Sequence, residues 1–248
     1  MKKILLTSLI LVLFTTGCFN FDTSTLRLKK AADNLSEAKN FTVAMTVAMT
    51  TIDKDAIEST STFETVIKND LDKDTTQIDM SYHMGELYTI DIVTYQEKAD
   101  DNSMVTYTEN LFGEGWLKST NSVAYTSIGY ADLVTNAVEI KEVKSTAKGV
   151  ETFEILIQPE DMSVLTNLFS DVPNPDDETG EYTFTEPLLV TYSIKDGNLY
   201  EMSFNLYDQL DAEEKANIKS ATMYVKFSNI NSTNVTIPQT VIDTAVMQ

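Results

Sequence analysis

The sequence predicts an α+β fold: a large, curved antiparallel sheet, an incomplete β-barrel, with a few helices packed on its concave face. Three observations predict it. Between residues 41 and 93, four segments alternate apolar and polar residues with period two and are joined by short polar loops, the pattern of an antiparallel meander with one buried face. Helical periodicity is confined to a few stretches, and no regular strand–helix–strand alternation of the kind that builds a parallel sheet is present. About ten strands in one sheet twist strongly, so a few helices covering it leave concave space.

The chain opens with Lys2 and Lys3, then an uncharged apolar run from Ile4 to Phe14, then Thr15-Thr16-Gly17-Cys18. Such a run is too short for a membrane-spanning helix, which needs about 20 residues, and has the form of a signal-peptide core with small residues before a cleavage point. The expectation is an export signal over 1–17 and a mature N-terminus at Cys18. Its thiol would be alkylated by a diacylglycerol group, with palmitate among the acyl chains. Leu usually stands three residues before such a cysteine; here it is Thr15. Cys18 is the single cysteine of the chain, so no intramolecular disulfide is available and stability has to come from a core.

A lipidated tether is expected over 18–24 and one domain over 25–248. Leu28, Ala31, Ala32, Leu35 and Ala38 recur at helical spacing, predicting an amphipathic helix over about 25–39. The period then becomes two: Phe41, Val43, Met45, Val47 and Met49 alternate with Thr42, Ala44, Thr46, Ala48 and Thr50. After Asp53-Lys54-Asp55, Phe63 and Ile67 continue the alternation; after 69–74 come Ile78, Met80, Tyr82 and Met84, and then Tyr88, Ile90 and Ile92. Residues 104–109 read as a short strand and 111–116 as a hairpin turn ending on Trp116. Helices are expected at 127–137 and from Pro159 to about 170, with strands at 138–144 and 150–157 and an exposed loop at 172–180. Asp196-Gly197 joins strands 182–195 and 199–210, the strongest hairpin signal in the chain. A strand at 218–227 and a short helix at 239–246 close it.

Chemistry is constrained by what the chain lacks. The charge is −20, becoming −22 once Lys2 and Lys3 are removed; such a surface repels nucleic acid and anionic membrane surfaces. No catalytic residue is expected. His83 is the only histidine, on the polar side of a strand beside Ser81, with no nucleophile-elbow sequence. One histidine and one acylated cysteine cannot supply a zinc site. Asp70, Asp72 and Asp74 have the opening spacing of a calcium loop, but Thr75 and Ser81 stand where its glycine and closing glutamate belong. Asp100-Asp101 and Asp176-Asp177-Glu178 read as solvated loops. No metal and no cofactor are expected.

The apolar stripes are the informative feature. Phe41, Val43, Met45, Val47, Met49, Phe63, Ile67, Ile78, Met80 and Tyr82 form the candidate ligand surface, with methionines able to adapt to a flexible chain. The same residues would equally serve as a filled core against the first helix. The expected function is a membrane-anchored extracytoplasmic protein, held at the outer face of the plasma membrane, that binds or carries a lipid or other hydrophobic molecule. The alternative is a surface-interaction or envelope-structural lipoprotein with a filled core.

The residues also resemble a family. The Cys18 motif, the helix 28–41 (LKKAADNLSEAKNF), Gly115-Trp116-Leu117-Lys118, Phe227-Ser228-Asn229-Ile230-Asn231 and Val235-Thr236-Ile237-Pro238 are similar to poorly characterised lipoproteins of low-GC Gram-positive bacteria and mollicutes with a LolA/LppX-like fold. The resemblance covers nearly all of the mature chain. It implies an incomplete barrel whose concave, apolar face, partly closed by helices, holds lipid or acyl chains, with the anchor as membrane partner and no catalytic residue.

Overall fold

The computed structural model describes residues 23–84, 88–100, 103–121, 133–134, 137–145, 147–161, 186–210 and 212–247. The expected export signal, Cys18, most of the 127–137 helix, the body of the helix expected beyond 161 and the loop 172–180 lie outside them.

Helix α1 (Thr23–Ser36) buries Leu28, Ala31, Ala32 and Leu35, the stripe its spacing specifies. It stops three residues earlier than expected. The Ser36 hydroxyl turns back to the Ala32 carbonyl at 3.2 Å, and Asn40 already belongs to the sheet.

The strands are β1 (Asn40–Ile52), β2 (Glu58–Asp70), β3 (Thr75–Met84), β4 (Tyr88–Asp100), β5 (Ser103–Glu109), β6 (Trp116–Asn121), β7 (Glu139–Val143), β8 (Val150–Ile157), β9 (Leu188–Lys195), β10 (Asn198–Asn205), β11 (Ile218–Ser228) and β12 (Ala245–Met247). They form one large, open, curved sheet in the order β12-β6-β5-β4-β3-β2-β1-β11-β10-β9-β8-β7. All pairings are antiparallel except β12 on β6. The expected meander of four strands is present and continues through β6. At the Asp196-Gly197 hairpin both residues have positive φ, 53° and 75°, the conformation a two-residue type I′ turn demands.

Three further elements differ from expectation. The strand expected to reach 210 ends at Asn205, and Tyr207–Gln209 form a 3-10 turn. Trp116 begins a strand rather than ending a turn, and the C-terminal helix α2 covers only Gln239–Thr244 before the chain straightens into β12. Strands β6 and β12 are both short: β6 folds back on β5 as a hairpin from Glu109↔Trp116, whereas β12 exists because β6 offers it a remote edge at the register Ala245↔Trp116.

Parity divides the sheet into two faces. One carries the odd residues of β1 and, through the registers, Phe227, Val225 and Met223 of β11, Met202 and Phe204 of β10, Tyr192 and Val190 of β9, and Phe153 and Ile155 of β8. Together with Leu28, Ala31, Ala32 and Leu35 of α1 these form the hydrophobic core. Arg27 holds the helix to the β7–β8 end, with Nη2 2.7 Å from Glu142 Oε2 and Nε 2.7 Å from Glu151 Oε2. The C-terminal segment crosses the opposite face. It leaves β11 through Asn229 and Asn231, both at positive φ, and meets β1 where Thr42 and Thr233 share a hydroxyl contact of 3.0 Å. It then reaches Asp70 at the end of β2.

Candidate functional site

All ten predicted ligand-surface residues stand on the core-bearing face, because parity on β1, β2 and β3 is kept in step by unbroken registers. Across β1–β4 the rows read Val43–Ile67–Ile78–Thr94, Met45–Thr65–Met80–Ile92, Val47–Phe63–Tyr82–Ile90 and Met49–Ser61–Met84–Tyr88. Exposure rises along them. Val43 and Ile67 are each 7 % exposed, whereas Met84 and Tyr88 at the hairpin end are 47 % and 55 % exposed. Phe41, Met45, Val47 and Ile78 are half-buried and packed against the core. Met49, Phe63, Met80 and Tyr82 are half-buried further out. The stripe therefore runs out of the core and opens toward the β3–β4 hairpin. Ile90 and Ile92 of β4 belong to the same surface but were not among the ten; their alternation was visible, while their alignment with Tyr82 and Met80 needed the register.

The rows are not wholly apolar. Thr65 sits between Met45 and Met80, 5 % exposed, and its hydroxyl has no hydrogen-bond partner among the described residues. Two rows toward the other end, beyond Val43–Ile67–Ile78, the Thr76 hydroxyl donates to Asn69 Oδ1 at 3.0 Å.

The polar side of β3 assembles no catalytic relay. The Ser81 hydroxyl donates to Asp91 Oδ1 at 2.6 Å, while His83 Nδ1 is 3.1 Å from the hydroxyl of Thr89. Each is occupied by its own cross-strand neighbour, so Ser81 and His83 do not address one another. The acidic turn after β2 is likewise divided. Asp70 pairs with Lys73, and Asp72 with Lys39. No group of three His, Cys, Asp or Glu residues able to hold a metal converges among the described residues.

A cleft of about 320 Å³ lies on the opposite face of the sheet, over β9, β10 and β11. Thr191, Ser203 and Thr222 form its floor; Leu189 and Tyr224, 52 % and 49 % exposed, line it together with Pro187, Leu188 and Phe204. Asp208 stands at one end. Its Oδ2 accepts from Asn205 Nδ2 at 3.3 Å, and its carbonyl accepts from Lys215 Nζ at 3.0 Å. Gln209 fixes the neighbouring wall by bonding both the N–H and the C=O of Glu186. Sequence reading missed this cleft, since isolated Ser and Thr on strand exteriors carry no periodic signal.

Comparison with protein-family models gives no match, and comparison with curated proteins gives none. Among solved structures the chain is distantly similar to a DUF1329 family protein from Desulfovibrio piger. The identity is 9 %, the alignment covers 88 % of this chain and 95 % of that one, and the TM-score is 0.29.

Proposed function

We propose that this chain is a membrane-anchored extracytoplasmic lipoprotein that binds or carries a lipid or other hydrophobic molecule without covalent chemistry. The observation that carries the reading is the graded apolar stripe. Its rows are aligned across β1–β4, are buried at the α1 end and open at the hairpin end. An acyl chain laid along such a surface would exchange water for methionine and aromatic contacts, worth roughly 0.8 kcal/mol per buried methylene. On this reading the core-bearing face is the concave one, with helices partly closing it as in LolA/LppX-like folds. Cys18 carries the diacylglycerol anchor that keeps the domain at the outer face of the plasma membrane.

A second reading, a surface-interaction or envelope-structural lipoprotein, is favoured by the packing at the other end of the same face. Phe153, Tyr192, Met202 and Met223 are each 0 % exposed, a core with no room beside them for a ligand.

Two measurements separate these. Intact-mass analysis of protein extracted from membranes, beside Cys18→Ser, tests the anchor; an unmodified wild-type mass would refute it. Native mass spectrometry and lipid extraction of the same protein test carriage. Bound lipid that is displaced in Phe63→Asp and Tyr82→Asp supports it. A lipid-free protein that gains no thermal stability from added phospholipid or fatty acid leaves the filled-core reading.

A further inference from the structure

The cleft on the opposite face combines a hydroxyl-bearing floor with an apolar lining of Pro187, Leu188, Leu189, Phe204 and Tyr224, and we propose that it binds a neutral saccharide. Three residues on three adjacent strands turn hydroxyls into one depression: Thr191 pairs with Ser203, Ser203 with Tyr224, and Asn205 with Thr222. Adjacent strands lie about 4.8 Å apart, so these hydroxyls form a shallow polar floor in which each group can both donate and accept. A pyranose ring presents the complementary surface, a rim of hydroxyls that donate and accept, and a face of C–H groups.

The walls match that second property. Leu189 and Tyr224 are half-exposed although both are large, and an aromatic ring with a polar tip suits a partner that is apolar on its face and wet at its edge. At the end of the cleft Asp208 is held in advance by Asn205 and by Lys215. The Asn205 Oδ1 in turn accepts the Tyr207 N–H at 3.0 Å. One carboxylate oxygen of Asp208 remains to accept a ligand hydroxyl, a charge-assisted bond stronger than a neutral one. Preorganisation of this kind lowers the ordering cost of binding.

Charge selects among hydroxylated ligands. Asp208 stands in the cleft, and Glu154 and Glu201 occupy the same face on the flanking register positions, opposite Thr191 and Ser193. Lys226 stands opposite Glu201 in the register and Lys215 Nζ lies 3.0 Å from the Asp208 carbonyl, so neither sign of charge dominates the cleft and an uncharged ligand suits it. Its size follows from the volume: about 320 Å³ is at the small end of ligand clefts, which span roughly 300–1,000 Å³. One or two rings fit, as a short glycan or the end of a longer chain.

The test is saturation-transfer NMR on the full chain in mild detergent with cellobiose, maltose and N,N′-diacetylchitobiose, followed by titration of the best of them. Ethanolamine and glucose 6-phosphate serve as cationic and anionic comparisons. Transfer to the C–H protons of at least one disaccharide is expected, with affinity falling roughly tenfold or more in Asp208→Ala and transfer lost in Tyr224→Ala. Both residues are exposed, and circular dichroism checks that each variant folds. Thr191→Val, which keeps the shape of the floor, should weaken binding too. No transfer from any of the three sugars overturns the proposal. So does binding unchanged in all three variants, or a site that takes ethanolamine or the phosphorylated sugar in preference. None of these outcomes bears on lipid binding at the other face.

Discussion

The carboxylate of Asp70 accepts the backbone N–H of Val235, 165 residues further along the chain, at 3.2 Å. The Asp70 side chain is 4 % exposed and also takes Lys73 Nζ at 3.0 Å; Lys73 reaches on to Asn234 and to the Val235 carbonyl. This knot pins the C-terminal segment to the end of β2. Asp70→Ala would leave the N–H of Val235, a residue 1 % exposed, without its acceptor. The expected loss is about 1–3 kcal/mol in urea unfolding, and hydrogen exchange should show the C-terminal segment opening first.

The same group sets an acid limit. Burial pushes the Asp70 carboxyl up, but the hydrogen bonds from Lys73 and Val235 and the Lys73 charge outweigh it and leave it below 3.8. A depressed folded value means the contribution is complete above 3.8 and disappears as pH falls through the lower folded value. Asp70→Asn should therefore flatten the acid limb of the stability profile. An unchanged limb in that variant would show that other carboxylates set it.

An alkaline limit comes from Tyr107, 1 % exposed, whose hydroxyl donates to Glu97 Oε1 at 2.8 Å. Burial, then the hydrogen bond and the charge of Glu97, push the phenol up to about 12. Because the folded value is raised, stability is intact below 10.0 and declines as pH rises from there toward 12. Phenolate absorbance should show a tyrosine step near 12, and Tyr107→Phe should remove that step.

How much was legible beforehand follows from range. Strands β1–β4 and the apolar stripe could be read because strict alternation fixes parity within each strand, and polar loops fix where strands end. Strands β6 and β12 could not: Trp116–Asn121 alternates weakly, and Ala245–Met247 is three residues long. Strand β6 depends on its pairing with β5 rather than on its own pattern, and β12 becomes a strand only beside the edge of β6, supplied from far away. The cleft was hidden for the same reason, since its members at 187–191, 203–208 and 222–224 meet only through the β9–β10–β11 registers.

Magnitudes rank two neighbours on α1. Arg27 bridges Glu142 and Glu151 and lies 5.9 Å from the Phe153 ring centroid, yet its side chain is 41 % exposed. Exposed ion pairs are worth about 0–1 kcal/mol and weaken with salt. Leu28, 0 % exposed, has no such discount. Leu28→Ala should cost about 2–5 kcal/mol, and Arg27→Ala a small amount that shrinks further in high salt. Denaturant midpoints at two ionic strengths check both, and the reverse ranking would mean α1 is held by its charges.

One substitution at two sites should have opposite signs. Thr65 and Thr76 are both 5 % exposed and lie on the same face of the sheet. The Thr76 hydroxyl donates to Asn69 Oδ1, so Thr76→Val leaves that buried oxygen without its donor and should cost about 1–3 kcal/mol. The Thr65 hydroxyl has no partner among the described residues and is set between Met45 and Met80. Thr65→Val keeps the shape, removes an unsatisfied group and should stabilise by about 1 kcal/mol. Thermal unfolding of the two variants beside the wild type decides it. If Thr65→Val raises the midpoint of lipid-free protein but lowers lipid retention, the unpaired hydroxyl belongs to the ligand; if it destabilises the lipid-free protein, the hydroxyl has a partner within the fold.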